Sequence, residues 1–534
     1  MKRLAAWVML SDGWRRALLA VGAGAFATLA LPPYNVPAAG FVSFTLLVWM
    51  LDGAAGDPGR NLVARAMPAF RIGWLFGFGY FVAGLWWLGA AMLVDAGLFV
   101  WAIPIAVLVL PAILAIYWAL AATLARLVWS DGPGRIFALA GAFALVEYLR
   151  GILFTGFPWN EIGIMVAPVP LLMQSVAVVG LHGLTLAAVL VFAAPALVVD
   201  RPDRSRTAAI GLAVLLVFLH VGYGAYRLWS APQGSAATVA VRVVQPDIAQ
   251  SRKWDAAEAE SIFTKLLALT KVPAATPRPE GARRLVIWPE SSVPFILTER
   301  PDALARIAEA LSPGDTLIAG LTRLEEGTDP ADPRIYNSID VISDTGEILD
   351  ARDKVHLVPF GEYIPFEGLL RRWGFGDLGE LPGGFSAGAS QGTIALDVVK
   401  FLPLICYEII FQDEVADHLD RSAADVIVNV TNDAWFGHTP GPYQHVRQAQ
   451  LTSIAYGLPL IRSANTGISL VEDAYGRPLQ GLSLGSAGVI DTELTDLSAA
   501  TIFSKCRNLP FLCFLAITWM LACVRRFSMR ALID

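Results

Sequence analysis

Three residues in the second half of the chain have side chains able to do acyl chemistry together: Glu290 in VIWPESSVPF, Lys354 in DKVHLVPFGEYIP and Cys406 in FLPLICYEII. They supply a base, a cation and a nucleophile. A thiol of ordinary pKa is only a few per cent thiolate near neutral pH, so a neighbouring carboxylate or ammonium is the partner that would activate it. Taken singly, each has a plainer reading: a surface carboxylate, a solvated lysine and a small buried apolar residue. Spacing alone does not choose between them.

The phrases around Glu290 and Cys406 open on the apolar runs VIW and FLPLI, and the three residues are expected at strand ends. Strands are predicted over 238–244, 285–288, 316–319, 338–342, 401–405, 426–429, 458–463 and 469–472. Helical patterns over 255–271, 301–311 and 441–456 alternate with them, which makes 231–505 an α/β block with at least one helix-covered sheet. The stretch 366–388 mixes glycines with Leu369, Leu370, Trp373, Phe375, Leu378, Leu381 and Phe385 without helix or strand period. It is expected to be a mobile lid that admits an apolar chain beside the nucleophile, with Arg371 and Arg372 meeting lipid phosphates; the plainer reading is a well-packed loop covering the sheet.

The rest of the chain is of another kind. Hydrophobic residues make up 55% of the 534 and charged ones 16%, and the mean hydropathy is +0.55, too apolar for a soluble enzyme. Apolar stretches near 17–31, 38–52, 70–93, 98–125, 136–150, 168–199, 208–229 and 508–524 are read as eight membrane spans across about 30 Å of hydrocarbon. The expected divisions are 1–230 with about seven spans, a catalytic block over 231–505, and a last span with a tail over 506–534.

Basic residues set the orientation. Lys2, Arg3, Arg15 and Arg16 precede the first span; Arg60, Arg65 and Arg71 follow the second; Arg126 and Arg135 follow the fourth; Arg201, Arg204 and Arg206 follow the sixth; Arg525, Arg526 and Arg530 close the chain. Every second loop is basic, so both termini are expected in the cytoplasm and 231–505 on the far side. The first span has no small-residue cleavage site behind it and is expected to be retained. Gly73, Gly77, Gly79 and Gly84 read as close helix packing. Glu147 and Arg150, spaced i, i+3, read equally as a structural ion pair or a lipid-headgroup contact.

A net charge of −6 offers no surface for nucleic acid. Of the four cysteines, only Cys406 lies in the catalytic block; Cys506, Cys513 and Cys523 read as inert thiols in or beside lipid. His438 and His445 suggest a Cys–His pair or a metal site only weakly, because H-x6-H without nearby acids is a poor ligand pattern. Residues 431–442, TNDAWFGHTPGP, read as a strand end and an aromatic loop, either packing or one wall of a pocket.

Together the phrases around Glu290, Lys354 and Cys406 resemble those of the nitrilase superfamily. The whole chain, spans then block then span, looks like the apolipoprotein N-acyltransferase family, as does EYLRGILFTGFPWN over 147–160. That resemblance implies a multi-span α-helical membrane domain carrying an extracytoplasmic α/β nitrilase-like domain, an αββα sandwich. It implies Glu290 as general base, Lys354 as oxyanion stabiliser and Cys406 as nucleophile, with Glu362, Tyr407, Glu408, Trp254 and Asn337 supporting catalysis or binding substrate. It further implies no cofactor and no metal, a phospholipid acyl donor, a diacylglyceryl-apolipoprotein acceptor, a thioester intermediate and a place in the bacterial inner membrane with catalysis on the periplasmic side. Two rivals are a membrane-bound amidase with the same triad, for which a one- or two-span anchor would suffice, and a transporter with a sensory domain, which predicts inverted repeats and intramembrane charges.

Overall fold

The computed structural model describes residues 1–534 except 55, 57, 58, 60, 233–238, 275–282, 326–332, 366–371, 373–383, 390, 391, 495–498 and 531–534, and the side chains of 524–530. Most of the expected lid over 366–388 therefore lies outside the described residues. Its far end does not: Ser386 N–H donates to Ile335 O at 2.7 Å and Gly388 N–H to Lys354 O at 2.8 Å.

Helices Gly13–Ala27, Ala38–Asp52, Leu62–Leu85, Leu110–Leu127, Gly134–Ile152, Val176–Ala193, Arg204–Trp229 and Leu509–Arg530 fall on the apolar stretches. Among the described residues, four helical runs are long and apolar enough to cross a membrane: Ala96–Leu127, Gly134–Thr155, Val176–Val199 and Arg204–Trp229. Ala38–Asp52 and Leu509–Cys523 are apolar but shorter. Gly134–Ile152 lies at the centre, packed by Leu110–Leu127, Val176–Ala193 and the C-terminal helix. Glycines permit the closest crossings. A Cβ on Gly24 would stand 1.9 Å from Phe76 O and one on Gly79 2.0 Å from Val21 O, so those two helices touch backbone to backbone.

The Glu147–Arg150 pair is structural. Arg150 Nε and Nη2 each donate to the Glu147 carboxylate at 2.8 Å, Trp118 Nε1 donates to it at 2.8 Å, and both charged side chains are fully buried. The free guanidinium edge binds Phe157 O and Trp159 O and so fixes the loop that leaves this helix.

The catalytic block is two six-stranded sheets. One has the order β12-β1-β2-β3-β4-β5, where β1 is Val239–Gln245, β2 Arg284–Trp288, β3 Asp315–Glu325, β4 Arg334–Ser343, β5 Ile348–Asp353 and β12 Gly488–Leu494. The other has the order β11-β10-β9-β8-β7-β6, with β6 Ile394–Ala395, β7 Lys400–Ile405, β8 Val426–Thr431, β9 Leu460–Ala464, β10 Ser469–Glu472 and β11 Pro478–Leu482. β1, β2 and β3 run parallel, as do β7, β8 and β9. That direction explains their continuous apolar runs, since parallel strands are covered on both faces. The sheets stack with β1 on β9, β3 on β8 and β4 on β7. Helices Ala259–Thr270 and Pro301–Ala310 cover the first sheet, packing Phe263, Leu266 and Ile307 against Trp288 and Leu317. Helices Gln412–Arg421 and Pro440–Tyr456 lie in the second half, where they contribute Val415, Ala449 and Ile454 to a core continuous with the membrane helices. The result is a four-layer αββα sandwich joined to a helical bundle.

Candidate active site

Glu290 follows β2 by two residues, Lys354 follows β5 directly and Cys406 follows β7 directly. Strand ends are where α/β sheets collect ligands, because loops there are free of the ladder. Lys354 is pinned at its backbone, its N–H donating to Asn337 O at 2.7 Å. Its ammonium lies between two carboxylates, 2.9 Å from Glu362 Oε1 and 3.7 Å from Glu290 Oε1. Asn337 Nδ2 spans the same pair, donating to Glu290 Oε1 at 2.7 Å and Glu362 Oε1 at 3.0 Å. Glu290 Oε2 accepts Asn432 N–H at 2.7 Å, and Glu362 Oε2 accepts Val358 N–H at 2.8 Å. Burial works against the ammonium, but Glu362 and then Glu290 outweigh it and hold Lys354 protonated well above the usual lysine range.

Cys406 is buried and takes a positive φ of 52° at the turn from β7 into the short helical turn Cys406–Ile410. Burial first, then the Glu290 charge, pushes its thiol up; Lys354 and a hydrogen bond from Thr431 pull it back only in part. Cys406 therefore rests as a thiol, and any reaction at its sulfur needs a neighbouring group to take the proton. Glu290 is the carboxylate that couples to it most strongly.

The supporting residues divide by role. Glu408 accepts Ile405 N–H at 2.8 Å, Val355 N–H at 2.7 Å and His356 N–H at 3.2 Å, so it ties the cysteine strand to the lysine loop. Burial pushes its carboxyl up to about 7 against those donors. Tyr407 turns away from the carboxylates; its hydroxyl donates to Gly156 O at 3.4 Å and its ring stacks near Trp159. Trp254 is half exposed at the end of the short helix Gln250–Lys253. Its neighbour Lys253, which the sequence reading passed over, is fully buried and donates to Glu290 O at 2.9 Å. Burial lowers Lys253 to about 8, opposed by Glu290 and Cys406.

A second group forms around His445, which the sequence offered only as a weak Cys–His or metal candidate; its partner Arg462 was not singled out. His445 Nε2 lies 3.2 Å from Cys406 O, its Nδ1 lies 2.8 Å from Asp433 Oδ1, and Arg462 Nη2 donates to Asp433 Oδ2 at 2.9 Å. Arg462 is the visible signal, a charge inside the otherwise apolar run of β9, and a fully buried charge requires a partner. Cys406, Asp433 and His445 bring candidate ligand atoms within 4.8 Å of one another. They do not suit a cation, because Asp433 is already paired with a guanidinium and both imidazole nitrogens face protein oxygens. His438 lies apart, over Gly485.

One wall of the domain boundary is aromatic. Trp87 and Trp159 both donate to Gln444 Oε1, at 3.0 and 2.9 Å, and Phe436 packs against both rings. The loop around 431–442 thus packs on the membrane helices.

Comparison with known proteins agrees over nearly the whole length. Residues 23–194 match the profile of the apolipoprotein N-acyltransferase N-terminal domain and residues 239–502 that of carbon-nitrogen hydrolase. The chain is similar to an apolipoprotein N-acyltransferase of Brucella suis biovar 1, 54% identical over 497 residues and covering 92% of each chain. It is similar to one of Rhizobium rhizogenes, 51% identical over 535 residues and covering 99% of each. Among solved structures, a Saccharomyces cerevisiae member of the nitrilase superfamily aligns with 19% identity and a TM-score of 0.35, over 53% of this chain and 97% of that one.

Proposed function

The chain belongs to the apolipoprotein N-acyltransferase family, and on that premise we propose that Cys406 carries the acyl group as a thioester between a membrane phospholipid and the α-amine of a diacylglyceryl-modified cysteine. The meeting of Glu290, Lys354 and Cys406 at the ends of three strands is the observation that supports this most. In the first half, Glu290 accepts the thiol proton as Cys406 Sγ attacks the ester carbonyl. Lys354 Nζ and Tyr407 N–H receive the oxyanion, each such donor contributing about 3 to 4 kcal/mol. The intermediate collapses by expelling the glycerol oxygen, which takes the proton from Glu290 and leaves as lysophospholipid. In the second half the acceptor amine attacks the thioester, Glu290 takes its proton, and the expelled thiolate recovers it. Asn337, Glu362 and Glu408 hold this geometry, and Trp254, half exposed beside Lys253, contacts substrate at its edge. A membrane-bound amidase would need none of the acyl-carrying bundle, and a transporter would need none of the triad.

Mass spectrometry of the purified protein after exposure to phospholipid should find an acyl-sized adduct on the peptide containing Cys406, released by hydroxylamine. An adduct elsewhere, or none, would sink the thioester route.

The same reading divides the chain into 1–230, 231–505 and 506–534 and sets eight helices across the inner membrane, with the termini in the cytoplasm and the catalytic block in the periplasm. The basic loops support it. Asp329 lies outside the described residues, whereas Asp302 is exposed on the catalytic block. With exposed Cys506 replaced by Ala, a cysteine at position 302 should react with a membrane-impermeant thiol reagent in intact spheroplasts. Reaction only after lysis would overturn the orientation.

A further inference from the structure

The backbone at Cys406 is unusual for a residue with a side chain, because its φ of 52° lies in the left-handed region. Such a conformation persists only where surrounding groups over-determine it. Here they converge on one atom. Cys406 O accepts His445 Nε2–H at 3.2 Å and Asn429 Nδ2–H at 3.4 Å. His445 Nδ1 meets Asp433, Asp433 pairs with Arg462, and Arg462 Nη1 returns to Asn429 Oδ1. The contacts close a ring of four buried side chains on a single carbonyl.

A trans peptide is planar, with its C=O and N–H pointing in opposite directions. Whatever fixes the Cys406 carbonyl therefore fixes the Tyr407 N–H, the other end of the same plane. We infer that His445 is a positioning residue: by holding the Cys406 carbonyl through Nε2–H, it aims the Tyr407 N–H at the oxyanion that forms on the acyl group bound to Cys406. His445 touches no reacting atom in this role. A carbonyl oxygen can only accept, so Nε2 carries the hydrogen; burial and the Arg462 charge lower His445 and keep the ring neutral, so Nδ1 accepts from Arg462 Nη2 at 3.0 Å, and Asp433, held down to about 2 by Arg462 and His445 in spite of burial, fixes that guanidinium at 2.9 Å. Asn429 takes the second lone-pair direction of the same oxygen and is itself oriented by Arg462.

The inference rests on the thioester reading of Cys406, so the experiment separates the two. Its probes are phospholipid vesicles, which acylate Cys406 through an oxyanion, and iodoacetamide, which alkylates the same sulfur without one. His445→Asn keeps an amide near the Nδ1 position and loses the donor to Cys406 O; His445→Gln places an amide nitrogen near Nε2. In His445→Asn, single-turnover acyl-enzyme formation should slow about 100-fold while iodoacetamide alkylation stays within about threefold of wild type, and His445→Gln should recover to within about tenfold. If His445→Asn does not fold, His445→Phe, which keeps the ring volume without either nitrogen, stands in with the same expectation. Alkylation falling in parallel with acylation would overturn the inference, because His445 would then act on the thiol or on the fold. Equal rates of acylation in the Gln and Asn variants would overturn it as well. A wild-type protein that is alkylated on Cys406 but never acylated there would remove the thioester reading itself.

Discussion

Cys406→Ala should carry no hydroxylamine-labile acyl group and transfer none to an apolipoprotein, and Cys406→Ser should lose at least about 1000-fold in acyl-enzyme formation, roughly 4 kcal/mol of barrier. A hydroxyl is a far weaker acid than a thiol, and the thiol here is already driven up by burial and by the Glu290 charge. Exchanging sulfur for oxygen therefore asks a single carboxylate to remove a proton several pKa units less acidic. The turn that presents the side chain stays intact, because Cys406 O keeps its partners from His445 and Asn429. Loss of rate without loss of thermal stability is thus the expected pattern. Cys513→Ala and Cys523→Ala, on the C-terminal helix, should retain most of the wild-type rate. Wild-type turnover by Cys406→Ser would remove Cys406 from the mechanism.

Lys354→Ala and Lys354→Arg should both fall by at least about 100-fold in acyl-enzyme formation, with arginine giving little rescue. The ammonium does more than receive an oxyanion. It stands 2.9 Å from Glu362 and 3.7 Å from Glu290, and Asn337 alone would remain between the two carboxylates once it is gone. Two buried carboxylates left without their cation repel each other, and Glu290 would no longer be held where it reaches the thiol. Arginine keeps the charge but spreads it over a planar fork, and Lys354 is only 1% exposed, with no space for the larger group. The readout is a single-turnover assay from phospholipid vesicles. More than about a tenth of the wild-type rate in Lys354→Arg, within some 1.4 kcal/mol, would mean that the lysine carries charge and nothing more specific.

Two of the three strands that carry the candidate residues, β2 and β7, were legible because parallel strands buried on both faces leave continuous apolar runs, as in β1, β8 and β9; β5, the antiparallel edge strand that ends at Lys354, overlaps no predicted run. The edges were not. β11 is exposed along most of its length and β12 alternates irregularly between half-buried and buried positions, so neither leaves an apolar period. Helix Gln412–Arg421 was missed for a related reason, since its ten residues, QDEVADHLDR, are mostly charged or polar and bury only one narrow stripe. The triad could be proposed because its residues sit in recognisable phrases. Lys253, Asp433 and Arg462 could not, and His445 stood out only as a weak Cys–His or metal candidate, because their partners lie on other elements and only the stacked sheets bring them together. For Glu147 and Arg150 the i, i+3 spacing was readable, while the choice between an ion pair and a lipid contact depended on Trp118, which arrives from a neighbouring helix.

The single amide of Gln444 has a consequence for how this protein unfolds. Its oxygen accepts one indole from Trp87 and another from Trp159, both on the membrane side, while it belongs to a helix of the catalytic block. Separating the halves would strand the buried Trp159 donor, at about 1 to 3 kcal/mol, while Trp87 would keep Gly84 O at 3.0 Å, and it would open a core that includes residues from Ala5 to Ala522. Domains that melt independently meet through small, polar interfaces, and this one is neither. Heat should therefore not release the catalytic half as a folded fragment from a surviving bundle. The change in composition near residue 230 does not divide the packed core, so a single cooperative transition is expected across it.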